Sequence, residues 1–217
     1  QVKLTKCHFF RKQVELLGHE LSDKGVLPLE SRVKAIRDFP RPVTVTALRS
    51  FLRMINFCRR FIPHISDILA PLTVLSSGPK RSEITWTTES EQAFCRAKDT
   101  LQKIKSLHFP DNNLPLTLTT DASNTAIGAV LMQVRNTHSE PIEFFSHKLS
   151  PAQTRYSAFD RELLGLYMSV KHFEHFLIVK PAVVYTDHKP LLHYLTMKCP
   201  SPRQQHHMSY LSQFNIE

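Results

Sequence analysis

Thr119-Thr120-Asp121-Ala122-Ser123 follows a run in which Leu116 and Leu118 alternate with threonines. Such alternation is typical of a β-strand with one buried face, and this strand is expected to end at the aspartate. Tyr185-Thr186-Asp187-His188 repeats the arrangement at the end of a second short strand pattern, which begins at Ala182. If the two strands are adjacent and parallel, Asp121 and Asp187 meet at the carboxyl edge of a sheet, as in α/β folds.

A long helical pattern lies between these strands and carries a third acid in Asp160-Arg161-Glu162-Leu163-Leu164. We expect the helix to begin at Ser150-Pro151, because proline is favoured in the first turn. Glu162 lies on the shoulder of the apolar row, so a helix packed across the sheet would bring it to the two aspartates. That row has helical spacing and consists of Tyr156, Phe159, Leu163, Leu166, Val170, Phe173 and Leu177.

Three convergent carboxylates form the oxygen-rich, negatively charged pocket that hard cations such as Mg²⁺ prefer. Two such ions, roughly 4 Å apart, suit the hydrolysis of a phosphodiester. Asp121, Glu162 and Asp187 are therefore the candidate catalytic and metal-binding residues, with Asp121 bridging two Mg²⁺ ions, for which Mn²⁺ is the substitute. Each residue alone has an ordinary alternative, since Asp187 could cap a following helix and Glu162 could be a surface glutamate.

The strand and helix patterns together predict an α/β fold with a mixed five-stranded sheet and flanking helices. Its further strands are expected at 126–134 and 142–147, and the last strand begins at Phe214 and is truncated. A short helix is expected after Asp187, with Leu191, Leu192 and Leu195 as its apolar residues.

The segment before the sheet is predicted to be mainly helical. Its outer face at 46–62 carries Arg49, Arg53 and Arg60 at helical spacing. A row of arginines can follow the phosphates of a nucleic acid, although a charged outer face is also what most amphipathic helices present. The predicted elements of this segment are a hairpin at 7–21, helices at 30–39 and 46–62, loops at Pro63 and Pro71, and a helix that opens with a capping box of Thr88 and Glu91.

Positive charge is concentrated at the front of the chain. The 217 residues include 28 Lys and Arg against 19 Asp and Glu, a net charge of +9, and residues 1–60 hold 13 basic and 5 acidic residues. Residues 121–217 are nearly neutral, with 9 basic and 8 acidic residues. This asymmetry favours a polyanion-binding module followed by a module with another task. A solvated basic surface is the alternative.

Several other classes of site have no support in the sequence. The four cysteines are far apart and form no CxxC pair, which argues against a zinc ribbon or a disulfide framework. No Walker loop, G-x-G-x-x-G or G-x-S-x-G motif occurs, and no apolar run approaches the ~18 residues of a membrane span. Four histidines lack the spacing that would converge on zinc: His172, His175, His206 and His207. His172 and His175 are expected to pack as aromatic residues do or to lie at the surface.

Taken in order, the motifs of the chain resemble the Pol polyprotein of gypsy-type LTR retrotransposons (Metaviridae). Thr120-Asp121-Ala122-Ser123, Glu162-Leu163-Leu164 and Thr186-Asp187-His188-Lys189-Pro190 resemble its ribonuclease H part. Phe39-Pro40-Arg41-Pro42 and Arg59-Arg60-Phe61-Ile62-Pro63 resemble the thumb of its reverse transcriptase. The resemblance implies four segments: the end of the palm at 1–24, a thumb-like segment at 25–80, a connector helix at 81–112, and a C-terminally truncated ribonuclease H-like domain at 113–217.

The resemblance also implies a function. The ribonuclease H-like domain would hydrolyse the RNA strand of RNA–DNA hybrids, with Asp121, Glu162 and Asp187 in its acidic cluster. Ser123 and Ser157 are candidates for contact with the hybrid, and the thumb-like helix would hold the template–primer duplex. The remaining implied partners are the palm and fingers upstream and integrase downstream, with no membrane, in an intracellular location that comprises cytoplasmic virus-like particles and a nuclear phase.

Several positions depart from the family pattern. The fourth acid of the family is expected beyond the last residue, and the polymerase aspartates are expected before the first. Arg53 stands where the family usually has glycine, and His207 stands where it usually has tryptophan. Loss of a buried tryptophan costs about 3–5 kcal/mol if nothing repairs it. The alternative function is therefore a catalytically inactive nucleic-acid-binding remnant of a decayed or domesticated element.

Overall fold

A computed structural model describes residues 10–191 and 199–217. The start of the predicted hairpin, at residues 7–9, lies outside these ranges, as do Leu192 and Leu195 of the predicted short helix. Among the described residues, no helix has the length and apolar character needed to cross a membrane.

The described chain begins with three short antiparallel strands: β1 (Gln13–Leu16), β2 (His19–Ser22) and β3 (Gly25–Pro28). A hairpin lies within the predicted range as β1 and β2, but it turns at Leu17-Gly18, inside the run expected to be its second strand. β3 extends it to a third strand. Val26 also forms an isolated antiparallel bridge with Leu107, which attaches this small sheet to the chain that follows the helices.

Four helices follow the small sheet and bury a common core. They are α1 (Glu30–Arg37), α2 (Val45–Phe57), α3 (Ile65–Leu75) and α4 (Thr88–Gln102). The predicted 46–62 helix is too long, because α2 ends at Phe57 and a separate 3₁₀ turn occupies Arg59–Phe61. We call residues 10–107, which enclose this core, the helical module.

Two local predictions in the helical module are wrong. The loop expected around Pro71 is part of α3, because Ile65, Leu69 and Leu72 bury one face of that helix and outweigh the proline. The capping box of α4 is formed by Thr87 and Ser90 rather than by Thr88 and Glu91. The Thr87 side chain accepts a hydrogen bond from the Ser90 backbone, and the Ser90 side chain accepts one from the Thr87 backbone.

A second core lies beneath a four-stranded mixed sheet in the order β6-β5-β4-β7. Its strands are β4 (Leu116–Ala122), β5 (Ala126–Arg135), β6 (His138–Lys148) and β7 (Ala182–Tyr185). Only β4 and β7 are parallel. We call residues 116–191 and 199–217 the sheet module. The mixed α/β fold is confirmed, while the boundaries predicted at 24, 80 and 112 stay predictions.

The five-stranded count is corrected to four in the described part of the chain. At the outer edge of β7, Ile216 forms a single parallel bridge with Ala182 instead of a full strand. The backbone N–H groups of Ala182 and Val184 donate hydrogen bonds to the backbone oxygens of Asn215 and Glu217. The last residues of the chain therefore begin to pair with β7 in the parallel direction.

The helices of the sheet module are α5 (Ala158–His172), α6 (Glu174–Leu177) and α7 (Pro202–Leu211). The prediction that α5 begins at Ser150-Pro151 is wrong. A 3₁₀ turn at Gln153–Arg155 comes first, and Ser157 is the N-cap, because its side chain accepts a hydrogen bond from the Asp160 backbone at 3.1 Å. Helix α7 was not expected from the sequence.

The two modules are in contact along β5 and β6. Phe144 of β6 packs against the core of the helical module. The Ser66 backbone N–H, near the start of α3, donates a hydrogen bond to Ser146 Oγ at 3.1 Å. This contact places the helical module beside the end of the sheet where β4 finishes and β5 starts.

Candidate active site

The three predicted acids converge. β4 and β7 run in parallel with Thr119 opposite Tyr185, so Asp121 and Asp187, each two residues further on, reach the same edge of the sheet. Glu162 comes to this edge from α5. One carboxylate oxygen of each of the three residues lies within 4.8 Å of the other two.

Helix α5 brings Glu162 to the sheet because of its apolar face. Leu163 and Leu166 are almost completely buried in the core beneath the sheet, which fixes the rotation of the helix. Glu162 precedes Leu163 and so lies at the border of that face, where it is only 8% exposed. Asp121 and Asp187 are exposed. The site is therefore an open edge with one buried and two accessible carboxylates.

The electrostatics of the site favour a cation. Burial, followed by the negative charges of Asp121 and Asp187, raises the pKa of Glu162 to about 7, while a hydrogen bond from the Ala122 backbone and the charge of Arg161 oppose the shift. Glu162 Oε2 is buried and has no hydrogen-bond partner among the described residues. A divalent metal ion binds carboxylate oxygens. It would therefore satisfy the buried Glu162 oxygen, which receives no hydrogen bond from the described residues, together with oxygens of the two aspartates.

Comparison with known proteins places this geometry in a family. Residues 86–184 match the RNase H-like domain found in reverse transcriptase. The chain is 35% identical over 218 residues to the Retrovirus-related Pol polyprotein from transposon 297 of Drosophila melanogaster, covering 100% of this chain and 20% of that protein. The chain belongs to the Pol polyproteins of gypsy-type LTR retrotransposons.

Two further relatives of this Pol segment support the family. The Retrovirus-related Pol polyprotein from transposon 412 of Drosophila melanogaster is 33% identical over 211 residues, with 97% of this chain and 17% of that protein covered. The Transposon Tf2-3 polyprotein of Schizosaccharomyces pombe is 32% identical over 221 residues, which cover 100% of this chain and 16% of that protein. The segment therefore spans a fifth or less of the curated relatives that it matches.

Solved structures show the same fold. The foamy viral protease-reverse transcriptase in complex with RNA/DNA hybrid superposes with a TM-score of 0.78 and 23% identity over 98% of this chain and 30% of that chain. The same viral protein in complex with dsDNA gives a TM-score of 0.76 and 24% identity over 95% and 44%. The Pol segment thus has the fold of the corresponding part of the foamy viral protein.

The two serines proposed for hybrid contact serve local structure in this Pol segment. Ser123 Oγ accepts a hydrogen bond from the Ala126 backbone at 2.9 Å and donates one to Asp67 Oδ1 at 3.0 Å. Ser157 Oγ caps α5 and donates to Asp160 Oδ2 at 3.0 Å. Their contact with a hybrid stays a prediction.

The three arginines do not form one row. Arg49 donates to the backbone oxygens of Ser76 and Gly78 at 3.0 and 2.9 Å, which ties α2 to the loop after α3. Arg60 lies in the 3₁₀ turn and donates to Glu143 Oε2 of β6 at 3.2 Å. Arg53 is exposed, with no ion pair in the described ranges. Nucleic-acid contact by these residues stays a prediction, and Arg53 has the most accessible side chain for it.

The residues that sequence reasoning missed lie in the helical module and along β6. Asp67 of α3 contacts the turn after Asp121, and no local pattern marks it, because its partners are more than fifty positions away. Glu143 accepts from Arg60 and contacts His172 Nε2 at 3.2 Å. The His172 ring also stacks on Phe145 with centroids 4.5 Å apart, in line with the expected packing role of this histidine.

Proposed function

We propose that the sheet module of this Pol segment hydrolyses the RNA strand of RNA–DNA hybrids. The observation that carries the proposal is the convergence of Asp121, Glu162 and Asp187 within 4.8 Å at the edge of the sheet. The match of residues 86–184 to an RNase H-like domain found in reverse transcriptase supports the same chemistry.

The three acids would hold Mg²⁺, as a pair of ions with Asp121 shared between them, and Mn²⁺ would substitute. Bound divalent cations supply a more acidic water and stabilise charge on the leaving 3′ oxygen. The residues of the chain fix the ligands. The paired strands position the two aspartates, and the burial of Leu163 and Leu166 sets the rotation of α5 that brings Glu162 to them. Because both aspartates are exposed, the scissile phosphate can approach from solvent.

The helical module would hold the template–primer duplex. Arg53 on α2 faces solvent and is available for a phosphate, whereas Arg49 and Arg60 stabilise the module that presents it. In the whole polyprotein, this segment would work with the polymerase palm and fingers and with integrase, inside cytoplasmic virus-like particles and later in the nucleus.

A strand-specific cleavage assay tests the proposal. A hybrid with different labels on the RNA and the DNA is incubated with Mg²⁺ or with EDTA, using the 217-residue chain and a longer Pol protein that includes it. We expect cuts in RNA only, in Mg²⁺ only, and a loss of at least about 100-fold for Asp121→Asn, since the ligand that joins both ions is removed. Asp99→Asn, on the exposed face of α4, is the matched control.

A second candidate function is nucleic-acid binding without cleavage. The net charge of +8 in the first 60 residues favours binding whether or not the acids are active. The same assay separates the two functions. Salt-sensitive binding of the hybrid with no RNA product from either protein would support the second function, and Asp121→Asn that cleaves at the wild-type rate would show that the metal assignment is wrong.

A further inference from the structure

We propose that the groove between the two modules binds a backbone phosphate of the nucleic acid. Its charged contacts would be Arg59 and Lys148, and His147 would add a neutral hydrogen-bonding group. This inference rests on the proposed function, because it names where the same substrate is held away from the three acids.

The groove lies between α2, α3 and the end of β6, and encloses about 400 Å³. Leu52, Ile65 and Leu69 form its apolar floor, while its polar lining combines basic and uncharged groups. Among the described residues, no aspartate or glutamate is part of this lining. The basic and uncharged polar residues are Asn56, Arg59, Ser66, Thr73, Ser76, His147 and Lys148.

The two cations of the groove are unpaired among the described residues, and Lys148 also borders a neighbouring cavity that contains Asp67 and Glu89. In the described part of the chain, neither Arg59 nor Lys148 forms an ion pair, whereas the adjacent Arg60 is paired with Glu143. Much of the Arg59 side chain is exposed, yet partial enclosure lowers the pKa of its guanidinium. A concave site with excess charge of one sign concentrates its field and attracts the opposite charge, which for a polyanion is a phosphate.

The chemistry of the groove suits phosphate in particular. One guanidinium nitrogen of Arg59 donates to the Ser146 backbone oxygen, which fixes the group while leaving other N–H donors free. Burial and the nearby Arg59 hold the pKa of His147 below its ordinary value, so its ring is a neutral donor beside the two cations. An arginine held in place is the usual means of gripping a phosphate oxygen pair.

The groove is placed to hold the strand that is cut. Asp121 pairs with Gly128 on β5, and Gly128 pairs with Ser146 on β6, the residue that anchors Arg59. Asp121 and Ser146 are therefore two strand spacings of ~4.8 Å apart, a distance of about 10 Å. About three nucleotides of one strand cover this length along a duplex axis. A hybrid bound at the three acids would thus place a nearby phosphate over the groove.

Binding measurements on the 217-residue chain test the inference. Fluorescence anisotropy of a labelled RNA–DNA hybrid is followed from 50 to 300 mM NaCl, in EDTA so that no cleavage occurs. Lys148→Gln and Arg59→Gln each remove one proposed contact, and Lys105→Gln removes an exposed charge of the helical module outside the groove as the control. Arg59→Gln also breaks the hydrogen bond to Ser146. Lys148→Gln removes a side chain that forms no ion pair with the described residues, so it is the decisive variant.

We expect Lys148→Gln and Arg59→Gln each to reduce the slope of log K against log salt by about 0.9 and to weaken binding about tenfold at 0.1 M salt. Lys105→Gln should leave both values unchanged. If Lys148→Gln matches that control, the groove proposal is overturned. Inorganic phosphate at constant ionic strength should compete with the hybrid for wild type and much less for Lys148→Gln, and equal competition in both proteins would contradict the groove.

Cleavage by the wild-type protein is measured in parallel so that the two proposals are judged separately. RNA cleavage together with an unchanged salt slope for Lys148→Gln would support the nuclease proposal and contradict the groove proposal. A reduced slope for Lys148→Gln without RNA cleavage by wild type would support the groove as a binding site and contradict the nuclease proposal.

Discussion

The Asp67 carboxylate of α3 accepts a hydrogen bond from the Ser123 hydroxyl at 3.0 Å. The same oxygen accepts a second from Thr125 Oγ1 at 2.6 Å. Ser123 and Thr125 form the turn that joins β4 to β5 just after Asp121. One side chain of the helical module therefore holds the turn that borders the three acids, so the geometry of the site depends on both modules.

Replacing Asp67 should loosen this turn. We expect Asp67→Ala to lower the free energy of unfolding by about 1–3 kcal/mol, because two hydrogen bonds to a charged acceptor are lost. Asp67→Asn keeps an acceptor oxygen and should recover a large part of that loss. Urea unfolding measures both, with Asp99→Ala as an exposed aspartate control. Equal stability of Asp67→Ala and the control would show that the contact adds nothing.

A close approach of the modules should make Gly128 intolerant of a side chain. A Cβ on Gly128 would lie 2.6 Å from His64 Nδ1, which is inside van der Waals contact. We expect Gly128→Ala to cost about 1–3 kcal/mol, since the imidazole must move. His64→Ala should relieve most of this cost, giving a coupling energy of at least about 0.5 kcal/mol in a double-mutant cycle. Additive effects of the two substitutions would contradict the close contact.

The sequence predicted the structure best where a single local pattern determines it. The strand alternation and the apolar row placed Asp121 on β4 and Glu162 on α5, and put Asp187 two residues beyond the end of β7. Each pattern is local and reports which face is buried. Whether the strands of the two aspartates are neighbours depends on the tertiary fold. The sequence pattern therefore predicted that the aspartates meet only if the two strands are adjacent and parallel.

The sequence was less informative where local signals compete. Pro71 indicates a break, yet the burial of Leu69 and Leu72 keeps α3 continuous. Thr87 and Thr88 are both good caps, and the choice of Thr87 follows from its exchange of hydrogen bonds with Ser90. Helix α7 did carry a signal, since Ser201 and Gln204 form a capping box around a proline in the first turn.

His207 should make the protein sensitive to acid. It takes a buried place in α7, 7% exposed, with its ring stacked on Tyr167 at 4.4 Å between centroids. Burial, followed by the charges of His206 and Arg203, lowers the pKa of His207 from 6.5 to about 4.

The direction of the pH effect follows from that lowered pKa. Below pH 6.5 the unfolded chain takes up a proton at His207 that the folded chain refuses until about pH 4. The stability that neutral His207 contributes is therefore complete above pH 6.5 and lost between there and pH 4, by up to about 3 kcal/mol. Urea unfolding at pH 7.5 and pH 5 should show a smaller loss for His207→Phe, which keeps the stacked ring, than for wild type. The exposed His138→Gln should behave like wild type, and a His207→Phe variant as acid-sensitive as wild type would refute the assignment.

Glu162 should destabilise the protein when no metal is bound. Its folded pKa, raised to about 7, exceeds its ordinary value of 4.5, so stability falls as the pH rises from 4.5 through 7. At pH 8 in EDTA we expect Glu162→Gln to be more stable than wild type by up to about 3 kcal/mol, because the buried charge is gone.

Adding Mg²⁺ should reverse this advantage. Wild type should gain RT ln(1 + [Mg²⁺]/Kd), about 2.7 kcal/mol when the ion is at 100 times Kd, while Glu162→Gln should gain much less because one ligand of the set is lost. Thermal unfolding of both proteins at pH 8, in EDTA and then in increasing Mg²⁺, measures the two changes in one experiment. Glu83→Gln, an exposed glutamate of the helical module, controls for charge removal. Equal Mg²⁺ responses of wild type and Glu162→Gln would mean that the cation binds elsewhere, since a site that lacks one of three carboxylates cannot hold the ion equally well.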